Sequence, residues 1–241
     1  MVEGKKAYKS ARQSRRGGSG SLTFRLSSPP ECSDPSSTDQ TNKMSSHTLA
    51  NTFRSSRLIY RAVDDASPVD QGFLFSAIDN DPTGVGNLSF CPVAPGNHAA
   101  MILIAMTKGS LLRVLACLPP DESTGPEAQP TPIGFAALMP RAPDAAHHRH
   151  ALLGVVLAAP FRGQGYGKEI VNWVLDWGFI RGGLHRIGLG VFGYNERALK
   201  MYRSLRFTEE GRDREAVMFE RQWWDVVNFG MLESEWEKLR G

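Results

Sequence analysis

A single mixed α/β domain behind a basic, polar tail is the fold class that the 241-residue sequence predicts. Three observations carry it. Short segments of alternating apolar residues recur along the chain, separated by segments of helical period. One apolar run, Ala151 to Ala159, leads into a glycine-rich turn that opens onto an amphipathic stretch. The apolar content, 41% over this length, suffices for one sizeable core or two small ones.

Residues 1–52 are rich in Ser, Gly, Lys and Arg and poor in aliphatic side chains, so they cannot bury enough surface to offset their ordering entropy. A disordered tail is expected there, with the folded domain over residues 53–241. In "RLIYRAV", Arg57 to Val63, side chains alternate as in a strand. Ser67, Pro68 and Asp70 supply an N-cap, a first-turn proline and a favourable charge for a helix through Ile78, ending at a turn over Asp79 to Gly84. A second helix is expected from Asn97 to Thr107. "SLLRVLACLPP" reads as a buried strand stopped by Pro119 and Pro120, and Pro126, Pro130 and Pro132 mark the loop that follows. "IGFAALM", Ile133 to Met139, is the next strand. Beyond His147, His148 and His150, "ALLGVVLAA" is apolar on both faces, as suits a central strand.

After the glycine turn, Ile170, Val171, Val174, Leu175, Gly178 and Phe179 recur at helical spacing until Gly182 and Gly183 end the element. "HRIGLGVF" alternates as a strand. Asn195 can cap a short helix carrying Ala198, Leu199, Tyr202 and Leu205, and "EAVMFER" with "WDVVNFGML" forms a closing antiparallel pair. No internal repeat is present.

Composition excludes several classes of function. Lys5, Lys6, Lys9, Arg12, Arg15, Arg16 and Arg25 against Glu3 concentrate the basic character in the tail; the whole chain carries only +3, so a broad nucleic-acid surface on the folded part is not expected. A nucleic-acid role acting through the tail alone would show steep salt dependence. Cys32, Cys91 and Cys117 are too few and too widely spaced for a disulfide framework or a zinc ribbon, and Cys91 and Cys117 read as small buried hydrophobes. No run approaches the roughly 20 apolar residues that span a bilayer. The basic, serine-rich start has the composition of a mitochondrial transit peptide, but Gly17, Gly18, Gly20 and the Pro29-Pro30 pair interrupt a long amphipathic helix, so a cytoplasmic location is expected. His147, His148 and His150 lack a further fixed ligand apart from Asp144, and no metal is expected.

The segment "RGQGYGKEI", Arg162 to Ile170, is the one that carries chemistry. A glycine-rich turn opening onto a helix presents outward N–H groups and the positive end of the helix dipole, a device for holding phosphate. It is not a Walker A loop: Gly167-Lys168 is followed by Glu169 rather than a magnesium-binding hydroxyl, and Arg162 stands where the first glycine belongs. Nor is it the dinucleotide fingerprint, because Lys168 and Ile170 occupy the positions for a third glycine.

The spacing that fits is Arg-x-x-Gly-x-Gly at Arg162, Gly165 and Gly167, and it resembles the acetyl-CoA loop of the GNAT superfamily of N-acetyltransferases. The segment Gly183 to Gly211, with its Asn-x-x-Ala-x-x-x-Tyr pattern at Asn195, Ala198 and Tyr202, resembles that family's next strand and helix. The last strand and "RLIYRAV" resemble the subgroup that includes ribosomal-protein N-terminal and spermidine acetyltransferases. The resemblance covers Arg57 to Trp236 and is strong only from Leu153 to Gly211. It implies a mixed, mostly antiparallel sheet with splayed central strands and flanking helices. It also implies that acetyl-CoA is the co-substrate.

On that resemblance the pyrophosphate rests on main-chain N–H groups of Arg162, Gly163, Gln164, Gly165, Tyr166, Gly167 and Lys168. A strand N–H near Val156 or Leu157 meets the developing oxyanion. Asn195 meets the pantetheine arm, or serves only as a helix cap. Tyr202 protonates the departing thiolate, or packs with Leu199 and Leu205. Many relatives carry a glutamate base where this chain has Leu152, which leaves His150 as the nearest titratable substitute, with water relayed from backbone carbonyls or a residue of the early helices as the alternatives. Trp223 and Trp224 belong to an acceptor pocket or to the packing of the last hairpin. The implied acceptor is a small-molecule amine or a protein N-terminus; Asp64, Asp65, Asp70, Asp79 and Asp81 would suit a cationic polyamine. A non-catalytic acyl-CoA-binding module of the same fold is the alternative, and a homodimer is compatible with either.

Overall fold

The computed structural model describes residues 49–88, 98–121, 123, 125, 128–141 and 146–241. Residues 1–48 of the expected tail, Cys32, Cys91, Asn97 and Asp144 lie outside them. Ordered contacts begin ahead of the expected boundary at residue 53: Leu49–Asn51 forms a single tight turn, and the Thr52 carbonyl accepts a hydrogen bond from Trp173 Nε1 at 3.0 Å.

The strands β1 (Ile59–Ala62), β2 (Leu112–Leu118), β3 (Thr131–Pro140), β4 (His150–Leu157), β5 (Arg186–Phe192), β6 (Thr208–Phe219) and β7 (Gln222–Leu232) form one sheet in the order β1-β2-β3-β4-β5-β7-β6. Every neighbouring pair is antiparallel except β4 with β5. That parallel pair is brief: His150, Ala151 and Leu152 face Arg186, Ile187 and Gly188, and pairing stops there. β4 stays on β3 as far as Leu157, and β5 stays on β7 as far as Phe192. Each follows its other neighbour, so a wedge opens in the middle of the sheet.

Helices cover both faces. α1 (Pro68–Leu74) starts as its sequence predicts, Ser67 Oγ accepting from Asp70 N, and runs on through a wider turn over Phe75–Asp79. With α2 (Pro82–Leu88) and α3 (His98–Thr107) it packs Leu74, Val85, Ala99, Ala100 and Leu103 against Leu115, Cys117, Phe135 and Val156. On the other face α4 (Tyr166–Asp176), its extension Trp177–Arg181 and α5 (Glu196–Ser204) bury Ile170, Val174, Phe179 and Leu199 against Leu138, Leu153, Ile187 and Phe229.

Two elements differ from expectation. The turn expected over residues 79–84 is largely helix: α2 starts at Pro82, capped by Asp81 Oδ1, which accepts from Thr83 N at 3.2 Å. The chain then ends in a helix, α6 (Glu233–Arg240), where the sequence reading stopped at a strand. Trp236 Nε1 and Arg240 Nε both donate to Asp176 Oδ1, at 2.8 and 2.7 Å, which docks α6 on α4. Among the described residues no helix is long and apolar enough to cross a membrane.

Candidate functional site

The wedge between β4 and β5 is the floor of a cleft of about 800 Å³. Its walls are the glycine turn with the start of α4 on one side, and α5 on the other. Gly163 and Gly165 both have positive φ, +85° and +87°, in the region that a Cβ disfavours. Gly165 is the residue from which α4 starts, and Glu169 N makes the first intrahelical bond, to Gly165 O at 3.2 Å. The N–H groups of Gly165, Tyr166, Gly167 and Lys168 therefore have no intrahelical acceptor. Gly167 is helical and needed for a different reason: a Cβ there would lie 3.3 Å from Met201 Sδ, so its absence lets α4 and α5 approach.

Not every residue of the expected phosphate loop faces the cleft. Arg162 lines it, but its N–H already donates to Ala159 O and its guanidinium is engaged, Nε donating to Leu157 O at 2.9 Å and Nη2 pairing with Asp81. Its part is to tie the end of β4 to the start of α2. The Gln164 side chain turns back to Pro160 O at 2.8 Å, and the Tyr166 ring packs edge-on against Phe161; neither residue lines the cleft. Lys168 lines it, joined by Arg197 and Lys200 of α5, two cations that the sequence reading missed. A Cβ on Gly163 would stand 3.0 Å from Arg197 Nη2, which places this guanidinium beside the turn. Among the described residues no Asp or Glu lines the cleft, so its charge is positive, as an anion requires.

Strand geometry sharpens the expected oxyanion donor. N–H and C=O of one residue point to the same side of a strand, and successive residues alternate. Ala158 N donates to Ile133 O of the β3 side, so Val156 also points toward β3. Leu157 and Val155 point the other way, into the wedge, as the Leu157 carbonyl bonded to Arg162 confirms. Val156 and Leu157 both line the cleft, but only Leu157 aims its N–H there.

Tyr202 sits on α5 with its ring against Phe207 and Phe229, at centroid distances of 5.4 and 6.2 Å, and borders the cleft. Burial holds its phenol well above the ordinary range, so it stays protonated at neutral pH. Asn195 caps α5, its Oδ1 accepting from Ala198 N at 3.1 Å, and also lines the cleft.

His150 is not brought to the cleft. It lies at the closed end of the wedge, opposite Arg186, with Nε2 buried and unpartnered. Burial, with the charges of Arg186 and Arg141, pushes its pKa down and keeps the imidazole neutral. Leu152 occupies the cleft wall instead. The polyamine expectation also loses its carboxylates: Asp70 pairs with Arg61, Asp65 with Arg113, and Asp81 with Arg162. Asp64 Oδ1 accepts from Ala66 N, and the Asp79 side chain is outside the described residues. Trp223 is exposed at the hairpin end, whereas Trp224 packs edge-on against Tyr194, which stacks on Phe219. Among the described residues no group of side chains could hold a metal ion.

Comparison with known proteins gives this geometry a relation. The acetyltransferase (GNAT) family model matches residues 114–207, from β2 to the residue before β6. An uncharacterized N-acetyltransferase of Bacillus subtilis, the SPbeta prophage-derived YokL, is 27% identical over 39% of this chain and 54% of its own length. A spermidine N(1)-acetyltransferase of Vibrio cholerae is 30% identical over 37% of this chain and 51% of its own. The chain thus spans about half the length of the curated relatives it matches. Among solved structures, the spermidine N-acetyltransferase from Vibrio cholerae in complex with CoA and spermine superposes with a TM-score of 0.60 at 22% identity, covering 76% of this chain and 99% of that one. A GNAT-family acetyltransferase from Bacillus anthracis gives 0.56 at 16% identity, over 76% and 99%. These structural likenesses establish the fold.

Proposed function

We propose, from the match of residues 114–207 to the acetyltransferase (GNAT) family, that the protein is an acetyl-CoA-dependent N-acetyltransferase that moves the acetyl group directly to a primary amine while both substrates are bound. The observation that carries this reading is the wedge itself: strands parting after Leu152 and Gly188 above a turn of left-handed glycines, in a cleft with Lys168, Arg197 and Lys200 and without a carboxylate among the described residues.

The residues present fit acetyl-CoA. The main-chain N–H groups from Gly163 to Lys168 would hold the pyrophosphate, with Lys168 and Arg197 adding charge. Asn195 and the edge of β4 would line the pantetheine arm. Acetyl-CoA supplies the activated acetyl group as a thioester. The amine nitrogen forms a bond to its carbonyl carbon, and the C–S bond breaks. Leu157 N–H stabilises negative charge on the carbonyl oxygen. Tyr202, held protonated by burial, donates to the departing sulfur. A primary ammonium, with a pKa of about 10, must lose a proton first. With Leu152 where relatives carry glutamate, that proton leaves through water. The rate should therefore climb by about tenfold per pH unit from pH 7 toward 9 as the free-amine fraction grows.

The acceptor is a small-molecule amine or a protein N-terminus. The Vibrio cholerae relative is named for spermidine, but here Asp65, Asp70 and Asp81 are each paired with an arginine, so a polyamine would need other anchors. Release of CoA thiol, assayed against polyamines, amino sugars, amino acids and short peptides, tests the reading and identifies the acceptor. Leu152, standing where many relatives have glutamate, favours one other reading, a non-catalytic acyl-CoA-binding module. Acetyl-CoA binding without thiol release above background across the panel would replace the enzyme reading with it.

A further inference from the structure

The phosphate turn is braced from behind by the strap leading into β1. Glu169 lies in the first turn of α4, one turn beyond Gly165, with only 12% of its side chain exposed. Its Oε1 accepts from Ser55 Oγ at 2.7 Å, Ser56 Oγ at 3.1 Å and Arg57 N at 2.8 Å, and its Oε2 accepts from Arg57 Nε at 2.7 Å. Three successive residues thus close on one carboxylate. The same guanidinium continues into the turn. Arg57 Nη1 donates to Gln164 O at 3.1 Å, the guanidinium carbon lies 4.2 Å from the centre of the Tyr166 ring, and a Cβ on Gly165 would stand 3.4 Å from Arg57 Nη2.

Two physical consequences follow from that position. In a trans peptide the C=O of one residue and the N–H of the next point in opposite directions. Arg57 pulls the Gln164 carbonyl toward the strap, so the Gly165 N–H points to the other side, and Gly165 borders the cleft. The second consequence concerns charge. A carboxylate in the first turn competes with a bound anion for the positive end of the helix. Glu169 would repel a pyrophosphate held one turn away unless a cation neutralised it, and Arg57 is that cation.

We propose that Arg57 is a positioning residue for the acyl-CoA phosphates. It aims the Gly165 N–H into the cleft and cancels the Glu169 charge, without itself touching the ligand. The inference rests on the acetyl-CoA reading. Nothing in the motif spacing pointed to it, because Arg57 and Glu169 are 112 residues apart.

The test is isothermal titration of the full-length protein with CoA, with circular dichroism and thermal unfolding to confirm folding of each variant. Arg57→Gln should weaken CoA about tenfold, the scale of one hydrogen bond to a charged group. Glu169→Gln alone should leave affinity unchanged or raise it, because the uncharged amide oxygen can still accept from the strap. Combined with Arg57→Gln, it should recover part of the loss. Arg57→Lys, which keeps the charge but cannot span Glu169 and Gln164 together, should lose a few-fold. It decides the matter if Arg57→Gln does not fold. Equal affinity of wild type and the folded Arg57 variants overturns the proposal. So does a loss in Glu169→Gln as large as that in Arg57→Gln, the result of a merely structural brace. Wild-type protein that does not bind CoA at all overturns the acetyl-CoA reading, and this inference with it.

Discussion

At Gly165 a side chain would meet two penalties at once. Its φ of +87° costs an L-residue about 1–2 kcal/mol, and its N–H is one of those proposed to hold the pyrophosphate. Gly165→Ala is therefore expected to weaken acetyl-CoA binding by about tenfold, and Gly165→Asp, which adds a like charge, to abolish it in calorimetry. Undiminished affinity in the aspartate variant would move the cofactor elsewhere. Tyr202→Phe removes one hydroxyl and keeps the ring on Phe207 and Phe229, so the fold and CoA affinity should hold while kcat falls by about a hundredfold. An unchanged kcat would make Tyr202 a packing residue. Gly163 and Gly165 were legible in the sequence because a phosphate turn demands φ values that spacing alone can flag. Arg197 was not legible: a guanidinium laid against Gly163 looks, in the sequence, like any exposed residue of an amphipathic helix.

The joint between β1 and α1 shows how one element secures the next. Asp70 is buried, and its carboxylate accepts from Arg61 Nη1 at 2.8 Å, Arg61 Nη2 at 2.6 Å and Asp64 N at 2.9 Å. Arg61, more than any other group, holds its pKa below the ordinary carboxylate value. The folded chain thus binds this proton less readily than the unfolded chain. The resulting stability is complete above about pH 4, the unfolded value, and is lost as the pH falls through the lower folded value. Asp70→Asn should cost about 2–3 kcal/mol at pH 7 and flatten the stability profile below about pH 4, as followed by urea unfolding. A profile as steep as that of wild type would show that other carboxylates drive acid unfolding. The start of α1 could be read from Ser67, Pro68 and Asp70 because capping is local chemistry. α2 could not. Asp79 to Gly84 reads as a turn, and the helix is held by distant groups, Arg162 on Asp81 and Tyr194 Oη on Gly86 O. α6 was missed for the same reason, since its anchor Asp176 belongs to α4.

At the scale of the molecule, the fold depends on where the chain is allowed to begin. Residues 46–241 form one compact unit, and its first described contacts are not decorative. Trp173 stacks on Tyr60 at a centroid distance of 3.7 Å and donates to Thr52 O, so the segment ahead of β1 and the middle of α4 are joined through one indole. Two truncations should then behave differently. A chain beginning at Ser46 keeps Thr52, Ser55, Ser56 and Arg57. It should match the full-length protein in melting temperature and CoA affinity. A chain beginning at Leu58 loses every partner of the Glu169 carboxylate and the acceptor of the Trp173 N–H. Water takes the places of the lost partners, so the cost is the net worth of these five hydrogen bonds, roughly 3–5 kcal/mol together, a large part of the stability of a domain this size. Its melting temperature should drop by about 10 °C, with CoA binding weakened beyond what the lower stability explains. The sequence boundary at residue 53 was set by composition, which sees where apolar residues become dense. Composition cannot see that Thr52 contributes a main-chain carbonyl, a group that every residue carries. If the chain beginning at Leu58 melts and binds like the one beginning at Ser46, the strap is dispensable, and the wedge and α4 alone organise the site.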